Sequence, residues 1–234
     1  MDAVVSGVSA IAELIAGNES RDAFEAVDRD GHLSLIDAAE RAGVRRFVFV
    51  SMAGADQMRA TPLARAKLAV EERLGAASLE SVVVRPEAFQ ETWLSPAAGL
   101  DWDAGRLVVF GRGEARMPYV AVDDVAVAVA KLTVADSPPA ALSFGGPEAL
   151  TRKDVADTIE RAIRRPMKRR HVPRAALWAG SKALAGVKPG VATLMGLGLA
   201  MDLRNSPLDA EPLRQLGIQP RPASAFIRDL IRNA

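Results

Sequence analysis

Few residues of this chain have side chains that commonly perform chemistry. The sequence contains no cysteine, which excludes disulfides, thiolate metal sites and a cysteine nucleophile. The only histidines, His32 and His171, lie far apart and have no ligand pattern around them, so we expect no metal site. A Gly-x-Ser-x-Gly motif is also missing, which argues against the serine triad of an α/β-hydrolase.

Two groups of charged residues each have two interpretations. Glu87 and Glu91 lie close together, so one of them could contact a substrate, although a pair of surface carboxylates is the simpler interpretation. The basic cluster Arg164-Arg165 with Lys168-Arg169-Arg170 could contact phosphate. A helix C-terminus followed by a solvated strand explains the same cluster, because cations complement the helix dipole there.

The composition favours a folded protein without a nucleic-acid or membrane partner. The 234 residues are 49% hydrophobic and 25% charged, which suits one large domain or a core with a smaller lobe. Lys and Arg number 30 against 29 Asp and Glu, and a net charge of +1 gives no electrostatic reason to expect an anionic partner. No signal-peptide pattern opens the sequence, and Lys188, Pro189 and Asp202 interrupt the apolar stretch 183–203. We therefore expect a cytoplasmic protein.

Strands and helices alternate in the first part of the sequence. The apolar runs at 3–6, 47–50 and 81–86 predict buried strands. Apolar positions at helical spacing predict helices within 22–42 and 63–74, which Gly43 and Gly75 can end. Short links between these elements imply right-handed crossovers, and hence an α/β fold with a doubly wound parallel sheet.

The pattern changes after Pro86. Runs at 107–110 and 118–122, joined across a Gly-Arg-Gly turn at 111–113, predict a hairpin. Asp123 or Asp124 is a candidate cap for the next helix, and Thr151 with Asp154 resembles a capping box. We expect residues 1–89 and about 119–146 to form the core, and residues 90–118 and 147–234 to form a smaller, mostly helical lobe. Three tryptophans outside the core strands, Trp93, Trp102 and Trp178, could line a substrate pocket or simply pack this lobe.

Several segments resemble one family in the same order. They are Leu35-Ile36-Asp37-Ala38-Ala39, Gly43-Val44-Arg45-Arg46-Phe47-Val48-Phe49-Val50-Ser51, Arg85-Pro86-Glu87-Ala88-Phe89, Val120-Ala121-Val122-Asp123-Asp124-Val125-Ala126 and Gly145-Gly146-Pro147-Glu148-Ala149-Leu150. Together they resemble an atypical short-chain dehydrogenase/reductase of the NmrA-like type. The resemblance covers most of the chain and implies an NAD(P)-binding Rossmann-like core, in which ligands bind at the carboxyl ends of the strands.

The resemblance also implies roles for five residues, Ser6, Ser51, Lys67, Pro86 and Phe89. The strand end at Ser6 would pass the cofactor's ribose, and Ser51 would lie beside the nicotinamide. Lys67 matches the lysine that holds the nicotinamide ribose, and Pro86 and Phe89 match residues that cover the ring. On this basis Ser51 and Lys67 are the candidate catalytic residues. Each residue taken singly also has a purely structural interpretation. Ser51 could simply end a strand, Lys67 could be a solvated helix lysine, and Phe89 could belong to the core.

The sequence departs from the family's pattern at two points. Active members of the wider superfamily place a tyrosine four residues before the lysine, on the same helix face, whereas this chain has Leu63, which cannot transfer a proton. The lone tyrosine, Tyr119, lies in the predicted hairpin region and is a poor substitute. The glycine-rich strand–turn–helix that holds the pyrophosphate is also missing between Met1 and Ser51. We therefore expect an N-terminally truncated sheet that starts at the family's fourth strand.

A truncated sheet would expose the strand at 3–6 as an apolar edge. We expect this edge to be covered by a second copy of the chain, as a homodimer, or by another partner. Otherwise we expect the natural product to start further upstream. The function that the resemblance implies is NAD(P)H-dependent reduction of a small apolar substrate. The alternative is a non-catalytic dinucleotide-sensing or protein-interaction scaffold, which Leu63 favours.

Overall fold

The computed structural model describes residues 3–6 and 24–232. The strands are β1 (Ala3–Ser6), β2 (Arg46–Val50), β3 (Glu80–Pro86), β4 (Leu100–Asp101), β5 (Arg106–Phe110), β6 (Met117–Pro118), β7 (Ala141–Phe144), β8 (Ala149–Leu150) and β9 (Lys168–Val172). The helices are α1 (His32–Arg41), α2 (Pro62–Gly75), α3 (Gln90–Trp93), α4 (Val122–Val134), α5 (Arg152–Ile163), α6 (Arg174–Ala183), α7 (Pro189–Leu203), α8 (Glu211–Gln215) and α9 (Ala223–Arg232). A π-helical segment (Phe24–Gly31) precedes α1, and 3-10 turns span Ala55–Met58 and Pro96–Ala98.

A parallel sheet in the order β1–β2–β3–β7 forms the core. Its apolar strands pair in a single register, in which Val5, Val48 and Val82 are successive neighbours. Helices cover both faces: α1 and α2 pack on Phe47 and Phe49, whereas α4 and α8 pack on the side of Val48 and Val84. The predicted α/β class with a doubly wound parallel sheet is therefore confirmed.

Most of the remaining elements form a lobe around a second sheet, β4–β5–β9. The predicted hairpin of 107–110 with 118–122 is wrong, because β5 pairs in parallel with β9 and β6 pairs with β8. The glycine turn after β5 is held instead by Asp202 of α7, whose carboxylate accepts the amide hydrogens of Arg112 at 3.1 Å and Gly113 at 2.8 Å. Local turn chemistry predicted the turn but not the partner of the strand.

Two helices begin with a threonine cap: Thr61 caps α2 and Thr151 caps α5. Thr151 and Asp154 form the predicted capping box at the start of α5. The predicted helix within 22–42 divides into the π-helical segment and α1, and residues 22 and 23 lie outside the described part. Asp123 and Asp124 do not cap α4, because its N-cap is Ala121. The carboxylate of Glu91 instead accepts the amide hydrogen of Val122 at 3.1 Å. No helix in 24–232 is long and apolar enough to cross a membrane.

Candidate functional site

The carboxyl ends of β2, β3 and β7 lie side by side, which brings Ser51 and Pro86 together. The amide of Ser51 donates to the Val84 carbonyl at 2.8 Å, and the amide of Ala53 donates to the Pro86 carbonyl at 2.9 Å. Phe89 follows within three residues and is half-buried. Ser6 ends β1 next to this edge, although its side chain lies outside the described residues. The strand-end geometry of the predicted cleft is therefore present, while the cofactor roles of these residues stay predictions.

The Ser51 hydroxyl is buried and already has a partner. It donates to the carboxylate of Glu71, one turn beyond Lys67 on α2. Glu71 in turn accepts two guanidinium nitrogens of Arg85, at 3.1 and 2.6 Å. The guanidinium keeps the carboxylate in place, so Ser51 ends in a fixed hydrogen-bonded chain, Ser51–Glu71–Arg85.

Lys67 lies inside the protein rather than in solvent. Its ammonium group is 3.1 Å from Asp28 of the π-helical segment, and the two side chains are 6% and 0% exposed. It also lies 5.0 Å from the centre of the Phe49 ring. Burial lowers the pKa of Lys67, and the attraction of Asp28 opposes that shift. The interpretation of Lys67 as a solvated helix lysine is therefore wrong.

His32 completes a buried polar cluster with Asp28, Lys67 and Phe49. Its Nδ1 lies 3.0 Å from the Val27 carbonyl and therefore carries the hydrogen, and its ring packs edge-on against Phe49. Its Nε2 has no hydrogen-bond partner among the described residues. Burial, followed by repulsion from Lys67, lowers the pKa of His32. No motif in the sequence links Asp28 or His32 to Lys67, so neither could be predicted as a member of this cluster.

Residues 204–209, which we call the strap, cross the same edge of the sheet. Arg204 pairs with Glu87, which directly follows β3, and the Ser206 hydroxyl donates to the same carboxylate. Further along, the Asp209 carbonyl accepts the amide of Gly145, just after β7. Glu87 is therefore not a surface carboxylate, because its side chain is only 3% exposed.

Gly54 shows how closely the strap approaches the strand ends. It has a φ of +69°, and an added Cβ would lie 2.8 Å from the Arg204 guanidinium carbon. Gly54 follows β2, so the Arg204 side chain lies directly over this strand end. The strap thus covers part of the carboxyl-terminal edge of the sheet, where parallel sheets of this kind bind ligands.

A small cavity lies inside the lobe. It has a volume of about 20 Å³, room for a single water molecule, and Trp93, Phe110, Tyr119 and Arg152 contribute to its walls. Arg152 is buried and donates to the Trp93 carbonyl at 2.7 Å. Of the other two tryptophans, Trp102 packs against the lobe core and Trp178 is 60% exposed. The tryptophans therefore do not converge on one pocket.

Some of these residues are placed where they could contact a nicotinamide dinucleotide, and others are not. The backbone edge at Ser51 and the Pro86–Phe89 segment have the parallel-strand geometry that such a ligand requires. Lys67 does not fit as placed, since its charge is already satisfied by Asp28 in a nearly solvent-free setting. In the described residues no group of three side chains is arranged to hold a metal.

Comparisons with known proteins agree with this geometry. The family described as NAD(P)H-binding matches residues 1–136. Subunit 9 of the mitochondrial NADH dehydrogenase [ubiquinone] 1 alpha subcomplex of Arabidopsis thaliana is 26% identical over 170 residues, 69% of this chain and 42% of that protein. Photosystem II assembly factor Ycf39 of Guillardia theta is 35% identical over 74 residues, 32% of this chain and 24% of that protein. The chain thus spans less than half the length of these curated relatives.

Solved structures show the same fold at low identity. The NADPH-dependent quinone oxidoreductase QOR2 of Escherichia coli superposes with a TM-score of 0.73 at 17% identity, covering 97% of this chain and 89% of that one. The triphenylmethane reductase of Citrobacter sp., solved with NADP(H), gives a TM-score of 0.71 at 16% identity, covering 97% and 75%. At such identities the likeness establishes the fold alone.

Proposed function

Since the chain belongs to the NAD(P)H-binding family, we propose that it is an NADPH- or NADH-dependent reductase of the NmrA-like atypical short-chain group. Its substrate would be a small apolar molecule. The observation that carries the proposal is the alignment of the β2 and β3 ends, where Ser51 and Pro86 lie side by side in a family that binds NAD(P)H. The core 1–89 with about 119–146 would hold the cofactor, and the remaining lobe would select the substrate. We place the protein in the cytoplasm, as a homodimer joined along β1.

Within this proposal the nicotinamide supplies the hydride, and the chain's own residues bind, orient and manage the proton. Leu63 has no proton to give, and it is buried in the core beside Met58 and Ala64. The Ser51 hydroxyl is the polar hydrogen at the strand end, and its chain to Glu71 and Arg85 fixes its direction. We assign Ser51 the proton-handling role: its hydroxyl would turn from Glu71, give its hydrogen to the reduced substrate and be reprotonated by water. Lys67 has a positioning role, with Asp28 holding its ammonium group.

Turnover with a matched serine control tests the proposal. We expect the full chain to oxidise NADPH or NADH in the presence of quinones, carbonyls or triphenylmethane dyes. Ser51→Ala should lower kcat roughly 100-fold, the contribution typical of a lost proton donor. Ser137→Ala, at an exposed site outside the core, should leave the rate unchanged. Absence of turnover with every acceptor class would contradict reductase function.

A second candidate function is a non-catalytic dinucleotide-binding scaffold. Two observations favour it: Leu63 in place of tyrosine, and the ion pair that engages Lys67. Two relatives carry names of this kind, one an assembly factor and the other a subunit of a larger complex. Saturable dinucleotide binding without turnover of any acceptor would support this function over the first.

A further inference from the structure

The basic side chains of the molecule are concentrated in one stretch of the chain. Nine of the 30 Lys and Arg lie in residues 161–201 and none of the 29 Asp and Glu does, so the rest of the chain has a net charge of −8. Arg169 is neutralised by ion pairs with Asp157 and Glu160. Several others are exposed and form no ion pair with any described residue: Arg164, Lys168, Arg170, Lys182 and Lys188. The overall charge of +1 averages over this asymmetry.

Large apolar side chains are exposed in the same stretch, on the helical hairpin α6–α7. Trp178 is 60% exposed, Val187 79% and Val191 37%. The turn between the helices spans residues 184–188 and is closed by the Lys188 amide, which donates to the Leu184 carbonyl at 2.7 Å. Trp178 lies about 9 Å along α6 from this turn, and Lys182 follows it on the same helix face. Apolar and cationic side chains therefore share the end of the hairpin.

Helix α7 adds to the apolar surface. Its only charged residue is Asp202, so it is apolar on all sides, a composition expected of a fully buried helix. Leu194, Met195 and Leu199 are nevertheless only partly buried. These side chains pack against the lobe core and keep part of their surface exposed.

We propose that the end of the hairpin docks on the surface of an anionic phospholipid bilayer. Trp178, Val187 and Val191 would enter the interfacial region, while Lys182 and Lys188 would contact the headgroups. The charge complementarity supports this partner, because five exposed cations of this stretch have no ion pair with a described residue and would be attracted to an anionic surface. The exposed tryptophan and valines favour a partner with an apolar phase behind its charged surface, which a nucleic acid does not offer. A second copy of the hairpin would bring like charges together.

Vesicle sedimentation with the full chain tests this proposal. We expect binding to vesicles of phosphatidylcholine mixed with phosphatidylglycerol, little binding to phosphatidylcholine alone, and a loss of binding at high salt. Reversing both lysines, K182E with K188E, should weaken partitioning roughly tenfold or more. Trp178→Ser should weaken it as well and should abolish any blue shift of the fluorescence on binding.

Matched controls separate the hairpin from general effects. Lys131→Glu on α4 makes the same charge change as K182E alone, which should weaken binding, and Val134→Ser removes a valine that is 79% exposed outside the patch. Both control variants should bind as the unaltered chain does. Equal binding to both vesicle types, equal losses in the control variants, or competition by duplex DNA at comparable affinity would each overturn the proposal. The proposal would also be overturned if the unaltered chain bound no vesicles and the hairpin variants turned a dimer into a monomer. The hairpin would then be a contact between two copies of the chain.

Discussion

At the residue scale, the buried polar cluster decides what Lys67 can do. Placing an ammonium group in a nearly solvent-free setting costs free energy unless a counter-charge is held nearby, and Asp28 supplies that charge. His32 lies in the same cluster, hydrogen-bonded to a carbonyl and packed on Phe49, and burial lowers the pKa of its ring. The sequence contains no signal for this arrangement, because the partners come from separate elements and share no motif.

Removing the counter-charge should destabilise the fold. Asp28→Asn leaves Lys67 with an uncompensated buried charge, so we expect the free energy of unfolding in urea to fall by roughly 3 kcal/mol. The neighbouring Asp30→Asn is a matched control, because Asp30 is exposed and its ion-pair partner among the described residues is the adjacent Arg29. This variant should unfold much as the unaltered chain does. Equal costs for the two variants would show that the buried pair contributes no more than a surface pair.

The His32 ring should make stability depend on pH. Burial keeps its pKa below the usual 6.5, so the unfolded chain takes up a proton before the folded chain does. The free energy of unfolding should therefore fall as the pH drops below 6.5, by up to about 1.4 kcal/mol per pH unit, until the folded pKa is reached. His32→Gln should remove this component, whereas His171→Gln, at an exposed site, should keep it. Identical pH profiles for wild type and His32→Gln would contradict the assignment.

At the element scale, the strap contacts the strand ends where the Arg204 side chain lies against Gly54, which follows β2. Gly54→Ala and Gly217→Ala replace glycines of nearly equal backbone angle, φ +69° and +70°. An added Cβ meets nothing within 4 Å at Gly217 but lies 2.8 Å from the Arg204 guanidinium at Gly54. We expect Gly217→Ala to lower the free energy of unfolding by roughly 1 kcal/mol, from backbone strain alone.

Gly54→Ala should cost roughly 1–2 kcal/mol more than the control, since the new methyl group displaces Arg204 from Glu87. Thermal or urea unfolding of the two variants gives the comparison. Equal losses would mean that Arg204 moves aside freely and that the strap is not held at this point.

At the scale of the whole molecule, the sequence predicted what local patterns determine. The bounds of strands β1–β3 and helix α2 were predicted to within two residues. Short apolar runs that end at Gly or Pro indicate buried strands, and apolar residues at helical spacing indicate a helix. The meeting of Ser51 and Pro86 was predicted from the strand ends. The pairing of β5 with β9, about sixty residues apart, and the strap over Gly54 were not, because no local pattern encodes contacts between such distant segments.

The most direct test of this account is calorimetric titration of the full chain with NADPH and NADH. We predict saturable binding of at least one dinucleotide, weakened in Phe89→Ala, which alters the segment after β3, and unchanged in Val134→Ala. Absence of saturable heat with both dinucleotides would contradict the claim that the ends of β2 and β3 form a cofactor cleft.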